Sequence, residues 1–159
     1  MKRIFYAPSK INEKYHNRLI FLAGPIQGAF DWHEEAIKFL IENSDAIIAC
    51  PKRKIGIEKN EIEYNKQVEW ESKYLNAAAF KGYGILFWLP NEKEKIEGRS
   101  YAQTTRFELG EWYTYYQHTC INLAVGIEDG FPGRRYISKK FDNKIKNNLI
   151  DTCKEFLKI

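Results

Sequence analysis

Apolar positions along the chain fall into two patterns. Short apolar runs occupy residues 19–23, 46–50, 85–89 and 120–125, the last interrupted only by Asn122, and each is stopped by Gly or Pro: Gly24-Pro25, Pro51, Pro90 and Gly126. Runs of this length predict strands covered on both faces. Between them, residues 32–41, 61–79, 107–117 and 143–157 carry apolar residues at three- and four-residue spacing, which predicts helices. Residues 3–7 add a further strand at an edge. Strands alternating with helices predict a parallel sheet, because right-handed crossovers return each strand beside its predecessor. The expected fold class is α/β: three layers, with a sheet of about five strands flanked by helices. No repeat or low-complexity linker interrupts residues 1–159, so one domain is expected. The longest polar stretch, residues 91–104, leads into the helix that carries Glu108, and long loops of this kind are often functional.

Composition narrows the function classes. With 159 residues and 44% hydrophobic content, the chain can bury a proper core. The net charge of +4 is unevenly placed: from Arg134 onward eight Lys or Arg face three Asp or Glu, and the rest of the chain is close to neutral. A solvated helix face is the commoner meaning of such a tail, so no specific nucleic-acid partner is expected. Cys50, Cys120 and Cys153 form no CxxC pair and read as buried thiols of a reducing cytoplasm. His16, His33 and His118 lack metal-ligand spacing, so no metal is expected. The N-terminal apolar run is broken by Pro8 and Lys10, which suits neither a signal peptide nor a membrane span. Four Trp in so short a chain suggest that rings line a pocket as well as the core.

Ligands of parallel α/β sheets bind at the carboxyl ends of the strands. That directs attention to residues 24–32, 51–54, 90–108 and 126–135. In Thr105-Arg106-Phe107-Glu108, Thr105 and Glu108 have the spacing of a helix capping box. The same position suits a catalytic carboxylate, since a helix N-terminus keeps a carboxylate ionised and able to attack an anomeric carbon. Glu71 shares a helix face with Val68 and Leu75, one turn after Gln67. It is either a pocket carboxylate that carries a proton or a structural ion pair with Arg53 or Arg106. After the first strand, Gly24 permits close backbone approach and Gln27 offers hydrogen bonds to a base or sugar. No phosphate-loop glycine pattern is present there. Asp31 suits an N-cap, and Trp32 suits either the core or stacking at a pocket rim. Arg134 and Arg135, in a Gly- and Pro-shaped loop, read as a phosphate clamp or as ordinary surface pairs.

Taken in order, several of these pieces form one signature. Residues 20–26 (Ile-Phe-Leu-Ala-Gly-Pro-Ile) are followed by Asp31-Trp32, Pro51-Lys52-Arg53 and Gln67-Val68-Glu69-Trp70-Glu71. The series continues through residues 85–90 (Ile-Leu-Phe-Trp-Leu-Pro), Phe107-Glu108-Leu109-Gly110 and Val125-Gly126, then Arg134-Arg135. This order resembles the nucleoside 2-deoxyribosyltransferase-like family across about residues 3–137. The resemblance implies a flavodoxin-like sheet and a glutamate nucleophile that falls on Glu108. It also implies a pocket built from Gly24-Pro25, Asp31-Trp32, the Gln67–Glu71 helix and the loop before Glu108, with Arg53, Trp88, Thr105 and Arg134 counted among the substrate contacts. A small nucleoside or nucleotide partner, a homo-oligomer and no cofactor are expected on the same ground. The implied reaction cleaves an N-glycosidic bond and passes the sugar to another base, with Glu71 assisting. The alternatives are a nucleoside 5′-monophosphate N-glycohydrolase, with Ser100, Thr104 and Arg134 or Arg135 on the phosphate, and a non-catalytic nucleotide-binding module. In the best-known transferases the approach to the glutamate is acidic and glycine-rich. Here it is residues 100–106, with no aspartate close before Glu108.

Overall fold

The computed structural model describes residues 2–53 and 60–158. The apolar runs become strands β2 (Leu19–Ala23), β3 (Ile47–Cys50), β4 (Gly84–Leu89) and β5 (Leu123–Ile127), with β1 (Ile4–Tyr6) at an edge. All pairings are parallel, in the order β1-β3-β2-β4-β5. This is the α/β, flavodoxin-like architecture expected from the alternation of strands and helices.

Side chains alternate across the sheet and sort the core into two halves. Leu19, Phe21 and Ala23 face α2 (Glu61–Lys81) and α3 (Gln103–His118), where they meet Trp70, Tyr74, Leu109 and Trp112. Ile20 and Leu22 face α1 (His33–Asn43) and α5 (Leu149–Leu157), where they meet Trp32, Leu40, Cys153 and Phe156. Strands covered on both sides have no polar face to show, which is why every residue of β2 to β5 is buried. Asn60 caps α2 by accepting from Glu63 N at 3.0 Å, and Asn148 caps α5 by accepting from Asp151 N at 2.8 Å.

Several boundaries differ from those expected. The last strand begins at Leu123 rather than Cys120, so Cys120 is exposed while Cys50 and Cys153 are buried. The terminal helix starts at Leu149, six residues past the expected start at 143, because Asn148 supplies the cap. The loop after β5 winds into a short helix, α4 (Arg134–Lys140), which buries none of its residues and so leaves no apolar period in the sequence. Helix α3 begins four residues earlier than expected. Its N-cap is Ala102, in the left-handed region at φ 55°, with no side-chain cap. Thr105 and Glu108 therefore lie inside the first two turns, and the capping-box reading of this pair is corrected.

The chain passes from β2 to β3 on one side and then across to β4 on the other. That change of direction opens a crevice above the carboxyl ends of β2 and β4, where open parallel sheets bind their ligands.

Candidate active site

A cavity of about 340 Å³ occupies this crevice. Its floor is Phe21, Ala23 and the turn Gly24 to Gly28; its sides come from α2, from the segment after β3, and from the loop leading into α3. Gly24 is required by close approach, since a Cβ there would lie 2.2 Å from the Trp88 carbonyl oxygen and 2.7 Å from the Trp32 ring.

Glu71 from α2 and Glu108 from α3 both line the cavity. Burial, then the nearby charges of Glu71 and Glu111, push the Glu108 carboxyl up to about 8. Burial also raises Glu71, opposed by a hydrogen bond from Gln67 and by the charge of Arg53. Glu108 sits six residues into α3, too deep for the helix N-terminus to hold it ionised as the sequence suggested, and desolvation decides its state instead.

Behind Glu71 runs a line of polar contacts. Gln67 Nε2 donates to Glu71 Oε1 at 2.7 Å and to the Pro51 carbonyl at 3.0 Å, while Gln67 Oε1 accepts from Arg53 Nε at 2.6 Å. Arg53 reaches Glu63 with two further bonds, to the carboxylate at 3.0 Å and the carbonyl at 3.1 Å. Of the two partners expected for Glu71, Arg53 acts on it electrostatically and through Gln67. Arg106 instead lies over the Phe131 ring, 5.0 Å from its centroid.

Gly24, Pro25, Gln27, Arg53, Gln67 and Thr105 all line the cavity beside the two glutamates. Four expected contacts do not. Trp32 is 1% exposed, with its indole N–H donating to the Pro25 carbonyl at 3.0 Å, so it supports the turn from behind rather than stacking at a rim. Trp88 points to the α1–α5 side of the sheet, because its neighbour Phe87 takes the other face. Asp31 is not an N-cap: the cap position falls on Trp32, and the Asp31 carboxylate pairs with Lys52 and with His33 Nδ1 at 3.5 Å. Arg134 pairs with Asp129 at 3.0 Å and, with Arg135, borders a separate surface depression beside α4. Lys54, the last residue of the expected 51–54 segment, lies outside the described residues.

Two features escaped the sequence. Glu63 extends the Gln67 and Glu71 pair into a polar stripe at four-residue spacing along α2, a member that periodicity offered and apolar counting hid. Arg99 lines the cavity and donates to Gln27 Oε1. Nothing in the polar run 91–104 marked it among its neighbours.

A family model described as "nucleoside 2-deoxyribosyltransferase like" matches residues 17–126, well over half the chain. The protein belongs to the nucleoside 2-deoxyribosyltransferase-like family. Every described residue that lines the cavity falls within the span matched to this family, whereas Arg134 and the basic C-terminal stretch fall outside it. A search of curated proteins finds no match. Membership in the nucleoside 2-deoxyribosyltransferase-like family supports glycosyl transfer or hydrolysis as the general chemistry and a nucleoside as the small-molecule partner. Among the described residues, no helix is long and apolar enough to cross a membrane.

Proposed function

We propose that this protein cleaves the N-glycosidic bond of a (deoxy)ribonucleoside with Glu108 as nucleophile and transfers the sugar to a second base. The observation that carries this reading is the pairing of Glu108 with Glu71 in a cavity at the sheet's switch point. Two carboxyls in such a place can divide the work. One attacks C1′ and forms a glycosyl ester, and the other supplies the proton that the departing base requires. Gln27 and Thr105 then bind the substrate, and the exposed edges of Ile26, Tyr64, Val68 and Ile96 give the base an apolar berth. The step uses carboxyl chemistry alone and no cofactor.

Replacing Glu108 by Gln removes the nucleophile. Base release falls by several orders of magnitude, and the native protein, unlike the variant, gains the mass of one sugar when denatured during turnover. Full activity in the variant overturns the mechanism.

A second reading is hydrolysis of a nucleoside 5′-monophosphate, and Arg99 favours it. Of the two cations that line the cavity among the described residues, Arg53 is bound to Glu63 and Gln67, while Arg99 meets a neutral carboxamide. A guanidinium so placed, near Ser100 and Thr104, suits a phosphate better than Arg134 does. Incubation with nucleosides and their monophosphates, with and without an acceptor base, separates the readings by the free base released. Affinity without base release supports a binding module instead.

The same proposal includes a homo-oligomer in the cytoplasm. Phe80, Trp112 and Tyr115 stack on one another along α2 and α3, with Phe80 and Tyr115 exposed. Phe107, beside the proposed nucleophile, is 78% exposed. A second copy covering this side would bury them together.

A further inference from the structure

One carboxamide stands between the Arg53 guanidinium and the cavity carboxylates, and its orientation is chemically forced. A guanidinium only donates, so the Gln67 atom 2.6 Å from Arg53 Nε is the carbonyl oxygen. The amide nitrogen then spends its two hydrogens on two acceptors, the Pro51 carbonyl and Glu71 Oε1. Turning the amide over would set an NH₂ against an N–H and a carbonyl against two oxygens, losing three hydrogen bonds at once. Gln67 is 5% exposed, so water is poorly placed to replace them. Arg53 cannot swing away freely, because Glu63 holds its other nitrogens.

The two carboxyls are therefore unequal. Glu71 receives a donor on Oε1 and has a cation one residue further back; among the described residues, Glu108 receives no comparable donor and has Glu71 and Glu111 as anionic neighbours. We propose that Arg53 and Gln67 are positioning residues that decide where the single proton of the Glu71–Glu108 pair rests: on Glu108 in the free protein, passing to Glu71 Oε2 as the substrate is attacked. Burial raises both carboxyls, but Gln67 and Arg53 work against that rise at Glu71, whereas the like charges of Glu71 and Glu111 add to it at Glu108, which agrees with this order. The inference rests on the catalytic reading above and deepens it.

The step balances. The Glu108 proton moves to Glu71 Oε2, and the freed Glu108 carboxylate uses an electron pair to bond C1′. The C1′–N bond breaks with its electrons remaining on the base nitrogen, which takes the proton from Glu71. A glycosyl ester, a neutral base and an ionised Glu71 result, and Gln67 again faces the charged form it favours. A resting proton on Glu108 also masks the nucleophile until a substrate is seated. Among the described residues, the charged and titratable groups around Glu71 are Glu108, with Glu111 behind it, from α3; Arg53 from the segment after β3; Glu63 and Tyr64 from α2 itself; and Glu92, Arg99 and Tyr101 from the loop before α3.

The test is a carboxyl ¹³C NMR titration of the full chain without substrate, with signals assigned through Glu71→Gln and Glu108→Gln. Gln67→Met and Arg53→Met each remove the link independently. In both, the first ionisation of the pair moves to higher pH, by roughly half a unit or more, as Glu71 loses its donor and takes a share of the proton. Arg53→Lys still donates to Gln67 Oε1 and restores the native order. The pH profile of base release moves the same way in the two methionine variants and stays in place in the lysine variant. Native titration curves in both methionine variants overturn the relay. Shifted curves in a protein that releases no base overturn the catalytic reading instead.

Discussion

Glu108 is held where its charge is unwelcome, and that has a thermodynamic consequence separate from catalysis. In an unfolded chain a glutamate ionises near 4.5, whereas burial and the Glu71 and Glu111 charges keep Glu108 protonated in the fold up to about 8. Below 4.5 both states carry the proton and the group costs nothing. Between 4.5 and 8 the unfolded chain releases its proton first, so stability declines as pH rises through this window, and above 8 the full penalty applies. Glu108→Gln removes the penalty. The variant is expected to melt at nearly the native temperature at pH 4.5 and to gain a few kcal/mol at pH 9, about 2–4 °C in Tm for each kcal/mol. Scanning fluorimetry at the two pH values checks this, and an equal gain at both would refute it. At neutral pH, Glu71→Gln leaves Glu108 without a proton acceptor and lowers kcat by roughly 10²–10⁴-fold with little change in KM, read by initial rates of base release.

At the scale of elements, the strands were legible and the helix ends were not. An apolar run such as residues 19–23 can satisfy itself only between two helical layers, and β2 has those bounds. The start of α3 depends on Ala102 adopting a left-handed conformation, which no side-chain signal announces, so Thr105 was read as a cap it does not form. The tryptophans were misplaced for a related reason: local sequence says that Trp32 and Trp88 are large, but only strand alternation and the Gly24 turn say which way they face. Glu71 and Gln67 were found because a polar residue on an inward stripe stands out, while their link to Arg53 spans a loop and cannot be counted along the chain. Gly24 ties these elements together. Gly24→Ala would force its methyl into the Trp88 carbonyl and the Trp32 ring at once, with an expected loss of about 1–3 kcal/mol or more. Chemical denaturation measures it, and an unchanged midpoint would contradict the packing described for this turn.

For the molecule as a whole, the two faces of the sheet have different duties. The α1–α5 side packs a core of Trp32, Leu40, Cys153 and Phe156 against the sheet, whereas the α2–α3 side carries both glutamates and the exposed Phe80, Phe107 and Tyr115. If a second copy covers that side, Phe107→Glu places a charge inside the contact. It is expected to shift the protein to a smaller species in light scattering after size exclusion, and to weaken activity if the copy also closes the cavity. A native profile that is already monomeric would remove the proposed oligomer.

The Glu71–Glu108 pair and the loop before α3 are built on different principles. The glutamates ride on helices packed into the core, while residues 92–100 stand exposed, their ends tied together where the Tyr101 hydroxyl donates to the Pro90 carbonyl at 2.8 Å and their start held by Lys93 N and Glu94 N donating to the Gly28 carbonyl. On the catalytic reading proposed above, the helices carry the reacting carboxyls, while the loop adds Ile96 and Arg99 to the contacts made by Ile26, Tyr64 and Val68. On that same reading, exchanging this surface segment replaces the contacts of Ile96 and Arg99 while leaving the helices under the two glutamates in place, which makes it a natural insertion point for diversification or design.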